Sequence, residues 1–90
     1  MKYPFENALL MAMQNPDTFH RPSEFELNNL KIDDYVKVCN SSERFWVKII
    51  KINPNNIIGI VSNDLVLTHI HGLKCYDEII FHKDNIYDID

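Results

Sequence analysis

Apolar residues recur every four positions at the start of this chain and every second position over most of the rest. Phe5, Leu9 and Met13 keep the first spacing, with Ala8, Leu10 and Ala12 beside them. That pattern predicts an amphipathic helix over residues 1–15. Pro4 suits a first helical position, where its missing N–H costs nothing, and Asn15-Pro16 ends the helix, because a residue before proline is pushed out of the α region. So short a helix is marginal in water, so its stripe needs a surface to dock on. Residues 16–29 read as a connector, within which Ser23-Glu24-Phe25-Glu26 predicts one capped helical turn near 23–28.

From Leu30 onward the period is two. Val36 and Val38 share one face of a predicted strand, and Tyr35, Lys37 and Cys39 the other. Asn40-Ser41-Ser42 supplies a turn. Residues 44–52 form the longest strand, with Phe45, Val47 and Ile49 on one face and an Ile49-Ile50 doublet that predicts a bulge or bend. Asn53-Pro54-Asn55-Asn56 turns the chain into a partner strand over 57–62, where Gly59 marks a kink or a close approach of another backbone. Residues 65–68 read as a short strand or an irregular segment. After a turn at His71-Gly72 come a strand over 77–82 and a last short one at 85–87.

Tight turns and no helical crossover imply an antiparallel meander, whose edges stay unpaired unless the sheet curls. The expected fold is therefore α+β: a helix packed on a strongly bent meander, an SH3-like partial barrel of about five strands. The helical stripe would close one mouth of that barrel. All 90 residues make a single domain, with the barrel over 30–90. An echo runs through it: Leu30-Lys31-Ile32-Asp33-Asp34 against Leu73-Lys74-Cys75-Tyr76-Asp77, both reading Leu-Lys-x-x-Asp. Rather than a duplicated half-barrel, we read two turns that lead into strands, each with an Asp side chain bonded to backbone N–H groups.

Composition narrows the function. The net charge is −4 and 46% of residues are hydrophobic, which argues against a generic nucleic-acid or anionic-membrane binder. Residues 31–51 alone are basic, carrying Lys37, Arg44, Lys48 and Lys51. No apolar run is long enough for a membrane span or a signal peptide, and two cysteines do not make a disulfide scaffold. These features imply a small cytoplasmic domain. Abundant Asn, Ile and Lys suggest an A/T-rich genome, bacterial or viral; a viral chain would act in the host cytoplasm.

Candidate chemistry is sparse. His69 and His71 at i, i+2 would share a strand face, a usable metal-ligand spacing, but no third ligand follows at an interpretable interval. Cys39 or Cys75 would need a histidine base to act as a nucleophile, and neither sits in a recognisable signature. Two glycines cannot build a phosphate loop. No cofactor, metal or catalytic residue is assigned. Arg44, Trp46 and Lys48 stand opposite the Phe-Val-Ile face, so they face outward unless the helix covers them and makes Trp46 a second small core.

The segment Glu43-Arg44-Phe45-Trp46-Val47-Lys48-Ile49 resembles the YegJ-like small domains of unknown function, whose hallmark is a Gly-Glu-Arg-(Phe/Met)-Trp-Val strand. The similarity extends to Asn15-Pro16-Asp17-Thr18-Phe19, to residues 30–38 against a Leu-Lys-x-Gly-Asp-x-Val-Lys entry strand, to Asn63-Asp64-Leu65-Val66, His71-Gly72-Leu73 and Asp77-Glu78-Ile79, and to Asn85-Ile86-Tyr87. Asp33 and Tyr76 stand where that family has Gly. Asp tolerates a left-handed backbone but Tyr does so poorly, so a different turn is expected at Cys75-Tyr76. The resemblance implies a mixed α+β barrel-like domain and no established activity.

Together these readings predict a non-catalytic module that binds a protein or peptide through Arg44, Trp46, Lys48, Asn63, Asp64, Thr68 and His71. A nucleic-acid-interacting barrel on the same basic-aromatic platform is the alternative, and a metal- or Cys-dependent enzyme the third reading. The chain is expected to be a monomer or a homodimer paired through an edge strand.

Overall fold

The two-residue repeat becomes three antiparallel strands in a row: β1 (Tyr35–Asn40), β2 (Glu43–Ile52) and β3 (Ile57–Val61). A computed structural model describes residues 5–15, 17, 21–40, 43–66, 70 and 72–90. It adds β4 (Glu78–Phe81), a 3-10 turn η1 (Lys83–Asn85) and β5 (Asp88–Ile89). The five strands form one antiparallel sheet in the order β4-β3-β2-β1-β5, whose two outer strands are not paired to each other. An open α+β sheet is therefore what this sequence builds.

Face selection follows the predicted alternation. Val36, Val38, Phe45, Val47 and Ile49 are buried with Ile57, Val61, Ile79, Phe81 and Ile86 in the main core. Burial at about 25 cal/mol per Å² of apolar surface makes this cluster the dominant stabilising term. The Ile49-Ile50 doublet bulges as expected, since the pairing with β3 shifts between Ile49 and Lys51. Gly59 is also where another strand comes close. A Cβ there would overlap Val47 Cγ1 and lie 2.9 Å from the Lys48 carbonyl oxygen.

The first helix differs from expectation. Helix α1 spans only Ala8–Gln14 and is capped by Asn7, whose side chain accepts from the Leu10 N–H at 2.8 Å. Phe5 lies before it and enters the main core, its ring edge-on to Phe45 at 6.3 Å between centroids. Leu10 and Met13 are exposed, Met13 by 70%. The stripe therefore does not dock along its length: α1 packs through Ala8 and Met11 on Cys39 and Tyr87. That contact also buries Cys39, which simple alternation would leave outside. The proposed roles of Pro4 and Pro16, and the turn at Ser41-Ser42, fall outside the described residues. Helix α2 (Glu24–Asn28) is the predicted capped turn, with a full capping box between Ser23 and Glu26, and it sends Leu27 into the core.

One further correction concerns the second half. Residues 85–87 are not a strand: His82 and Asn85 form a capping box around η1, and the strand β5 begins at Asp88, just after the Tyr87 N–H donates to the Lys37 carbonyl of β1 at 2.7 Å. Of the two readings for residues 65–68, Leu65 and Val66 take the irregular one and lie in a loop.

The repeated Leu-Lys-x-x-Asp motif is one turn built twice. Asp34 Oδ2 accepts from the Lys31 N–H at 2.8 Å, and Asp77 Oδ2 from the Lys74 N–H at 3.0 Å. In both, the Asp N–H returns to the Lys carbonyl at 3.1 Å. The residue before each Asp has a positive φ, 78° at Asp33 and 74° at Tyr76. The expectation of a different turn at Tyr76 is thus wrong: the aspartate and the sheet enforce the left-handed backbone despite the side chain. Tyr76 is 84% exposed, so little packing offsets the strain. Tyr76→Gly should stabilise the fold by about 1 kcal/mol, while Tyr76→Ala, which keeps a Cβ, should gain nothing comparable. Urea melts of the three proteins measure this.

Candidate functional site

Opposite the core, the outward face of β1 and β2 carries Tyr35, Lys37, Arg44, Trp46 and Lys48. The register sets Lys37 across from Trp46 and Tyr35 across from Lys48, which makes Tyr35 and Trp46 diagonal neighbours. The two aromatics open on a cleft of about 290 Å³ completed by Ser62, Asn63 and Asp90. Tyr35 is 39% exposed and Trp46 half-buried. The Lys37 ammonium lies 4.7 Å from the Trp46 ring centroid, a cation–π contact worth about 0.5–1 kcal/mol at an exposed site.

Asn63 shapes the cleft wall. Beyond Val61 the β3 ladder ends, yet Ser62 N–H still donates to the Trp46 carbonyl at 2.9 Å. The reciprocal bond comes from a side chain: Asn63 Oδ1 accepts from the Trp46 N–H at 2.7 Å, while Asn63 Nδ2 donates to the Asp64 carbonyl at 2.9 Å. Further on, Glu43 Oε2 accepts from the Val66 N–H at 2.6 Å. The loop after β3 is therefore fastened to β2 at two points, one from each side. On the opposite wall, Asp90 is fixed by its N–H, which donates to the Tyr35 carbonyl at 3.0 Å.

The predicted residues separate into three places. Trp46 and Asn63 share the cleft. Lys48, across from Tyr35, forms an ion pair with Asp33 at 3.5 Å, and both side chains are exposed enough for solvent to screen it. Arg44 lies one outward position further along β2, its guanidinium 4.9 Å from the centroid of Tyr87. Trp46 does not become a second small core under the helix; Cys39, Ala8 and Tyr87 take that role. Asp64 is exposed beside Asn63. Thr68 and His71, like His69, fall outside the described residues. Tyr35 and Asp90 line the cleft without having been singled out: Tyr35 was legible from its outward register, whereas Asp90 arrives only through β5.

The cysteines and His82 each make a hydrogen bond within the fold. Cys39 Sγ donates to Glu6 Oε2 at 3.1 Å, and Cys75 Sγ faces the Val61 carbonyl at 3.8 Å. His82 Nδ1 accepts from the Asp84 N–H at 3.2 Å in the η1 cap. Among the described residues no group of three His, Cys, Asp or Glu side chains gathers as metal ligands. Burial, with Cys39 and Glu6 beside it, pushes the Tyr87 phenol above its ordinary value, and the Arg44 guanidinium pulls the other way.

No family model, curated protein or solved structure matches this chain.

The Asn63 geometry needs an acceptor at that position, not an amide. Asn63→Ala leaves the Trp46 N–H without its acceptor and should cost about 1–2 kcal/mol, whereas Asn63→Asp should retain most of the stability. Chemical denaturation followed by Trp46 fluorescence tests both, since Trp46 is the chain's one tryptophan.

Proposed function

We propose that this protein is a non-catalytic binding module that recognises a protein or peptide through the cleft between Tyr35 and Trp46. The observation carrying this reading is the placement of two adjacent aromatic rings, outside the core, on one open cleft with polar Ser62, Asn63 and Asp90 along it. Large rings joined to nearby hydrogen-bonding groups are the side chains that dominate protein recognition surfaces. Lys37, Lys48, Asp64 and Asp90 give the rim both signs of charge, which suits a mixed polypeptide better than a uniform polyanion.

An SH3-like partial barrel is part of this proposal. Its support is the strand order β4-β3-β2-β1-β5, the bulge that bends β2, and the 3-10 turn between β4 and β5. A relation to the YegJ-like domains rests on the motifs quoted above, now found along β1 and β2, in both Lys-x-x-Asp turns, and in the loop after β3. No helix among the described residues is long and apolar enough to cross a membrane, and the cytoplasm is the proposed site of action.

Capture from a lysate of the source cell tests the reading. Wild-type protein should retain a polypeptide partner that Tyr35→Ala loses, with the thermal midpoint nearly unchanged because Tyr35 is outside the core. Arg44→Ala, 4.9 Å from the Tyr87 ring, reports how far the surface extends. Equal capture by wild type and Tyr35→Ala would remove the cleft from the account. A salt-sensitive mobility shift with short single-stranded nucleic acid would replace the peptide reading by the nucleic-acid one.

A further inference from the structure

The two edges of the sheet are treated differently. On the β1 side, the outward carbonyls of Tyr35, Lys37 and Cys39 accept in turn from the N–H groups of Asp90 at 3.0 Å, Tyr87 at 2.7 Å and Glu6 at 2.9 Å. Two separate segments of the chain thus close that edge. On the far side lies β4, and the ladder fixes which way its backbone points. Ser62 N–H donates to Trp46, and Val61 exchanges bonds with Asp77 and Tyr76. By alternation Gly59 and Ile57 face β4, and Ile79 and Phe81 answer them. Glu78 and Ile80 therefore direct both N–H and C=O away from the sheet. No hydrogen bond satisfies these four groups among the described residues.

The usual protections of a free edge are also missing from β4. It has no Pro, no Lys and no bulge against β3; its one charge is Glu78. Outward on β3 and β4 lie Ile58, Ile60 and Ile80, all half-buried. The capping box at His82 and Asn85 turns the chain away directly after Phe81, so the open edge is short and its ends are defined.

We propose that this edge pairs antiparallel with the β4 edge of a second copy of the chain, around a two-fold axis between the two Ile79 residues. Glu78 of each copy then lies opposite Ile80 of the other, and the pair exchanges two N–H···O=C bonds on each side of the axis, using all four outward groups of both strands. This register is the one in which a self-complementary pairing leaves no donor or acceptor of Glu78 or Ile80 unmet. It sets the two Ile58-Ile60-Ile80 triplets side by side across the axis and places each Glu78 against an isoleucine rather than against the other Glu78. The two sheets become one sheet of ten strands. The interface is small, so the dimer is a weak one that forms with rising concentration.

The test is sedimentation equilibrium of the full chain from low micromolar to millimolar concentration, with Ile80→Pro as the variant. Proline removes one outward N–H and leaves the bonds to β3 intact. Wild type should move from monomer to dimer mass across that range, while Ile80→Pro stays monomeric throughout with an unchanged circular dichroism spectrum. Amide exchange at Glu78 and Ile80 in wild type should slow as concentration rises, which keeps the test valid if the variant fails to fold. A wild type that is monomeric at millimolar concentration overturns the proposal. So does a dimer whose Glu78 and Ile80 amides exchange as fast as in the monomer.

Discussion

The outer edge of β1 is the constraint on which the rest of the molecule depends. Its three carbonyls, spaced two residues apart, would otherwise face solvent as a template for foreign strands. They are taken by N–H groups from Glu6 on one side and from Tyr87 and Asp90 on the other. Asn85 ties these segments together. Its buried side chain donates to the carbonyls of Phe5 and Glu6, each at 3.3 Å, and accepts from the His82 N–H at 2.8 Å. One amide thus joins residues 80 positions apart, and lets Phe5 enter the core while Asp90 reaches Tyr35.

The cleft is a product of the same closure. Tyr35 and Trp46 face outward because of strand alternation, but two aromatic rings on a sheet are only a surface. Asp90 supplies one wall because β5 is held on β1, and Asn63 supplies the other because its side chain continues the β2 ladder where β3 stops. The asymmetry between edges follows as well. Chain segments close the β1 side, whereas no described residue bonds the outward backbone groups of β4.

Legibility in the sequence tracked the range of the physics involved. Period-two alternation identified the buried faces of β1 and β2 residue by residue. Local chemistry identified the Ser23 cap, the bulge after Ile49, the close approach at Gly59 and the two aspartate turns. What failed was non-local. The spacing of Phe5, Leu9 and Met13 says that a helix has an apolar side, not that the sheet offers it a surface, and Leu10 and Met13 ended exposed. Cys39 lies on the outward face by alternation, yet α1 covers it. Asn85-Ile86-Tyr87 reads as a strand until Asn85 is seen to cap a turn with His82, a pairing whose three-residue spacing was visible. Tyr76 shows the reverse case, where a correct rule about residue preference was outweighed by a turn that the Asp77 side chain and β3 hold in place. Within the site, Trp46 and Asn63 were found from the strand and its following loop, but Asp90 depends on the far end of the fold.

Native-state hydrogen exchange in dilute solution tests the edge closure most directly, because it reads the amides concerned one at a time. The account predicts that the N–H groups of Glu6, Tyr87 and Asp90 are protected, and that Asn85→Ala weakens the protection of Glu6 and Tyr87 well before that of Val47. Glu6 and Tyr87 amides that exchange as fast as those of Glu78 and Ile80 in the wild-type protein would contradict it.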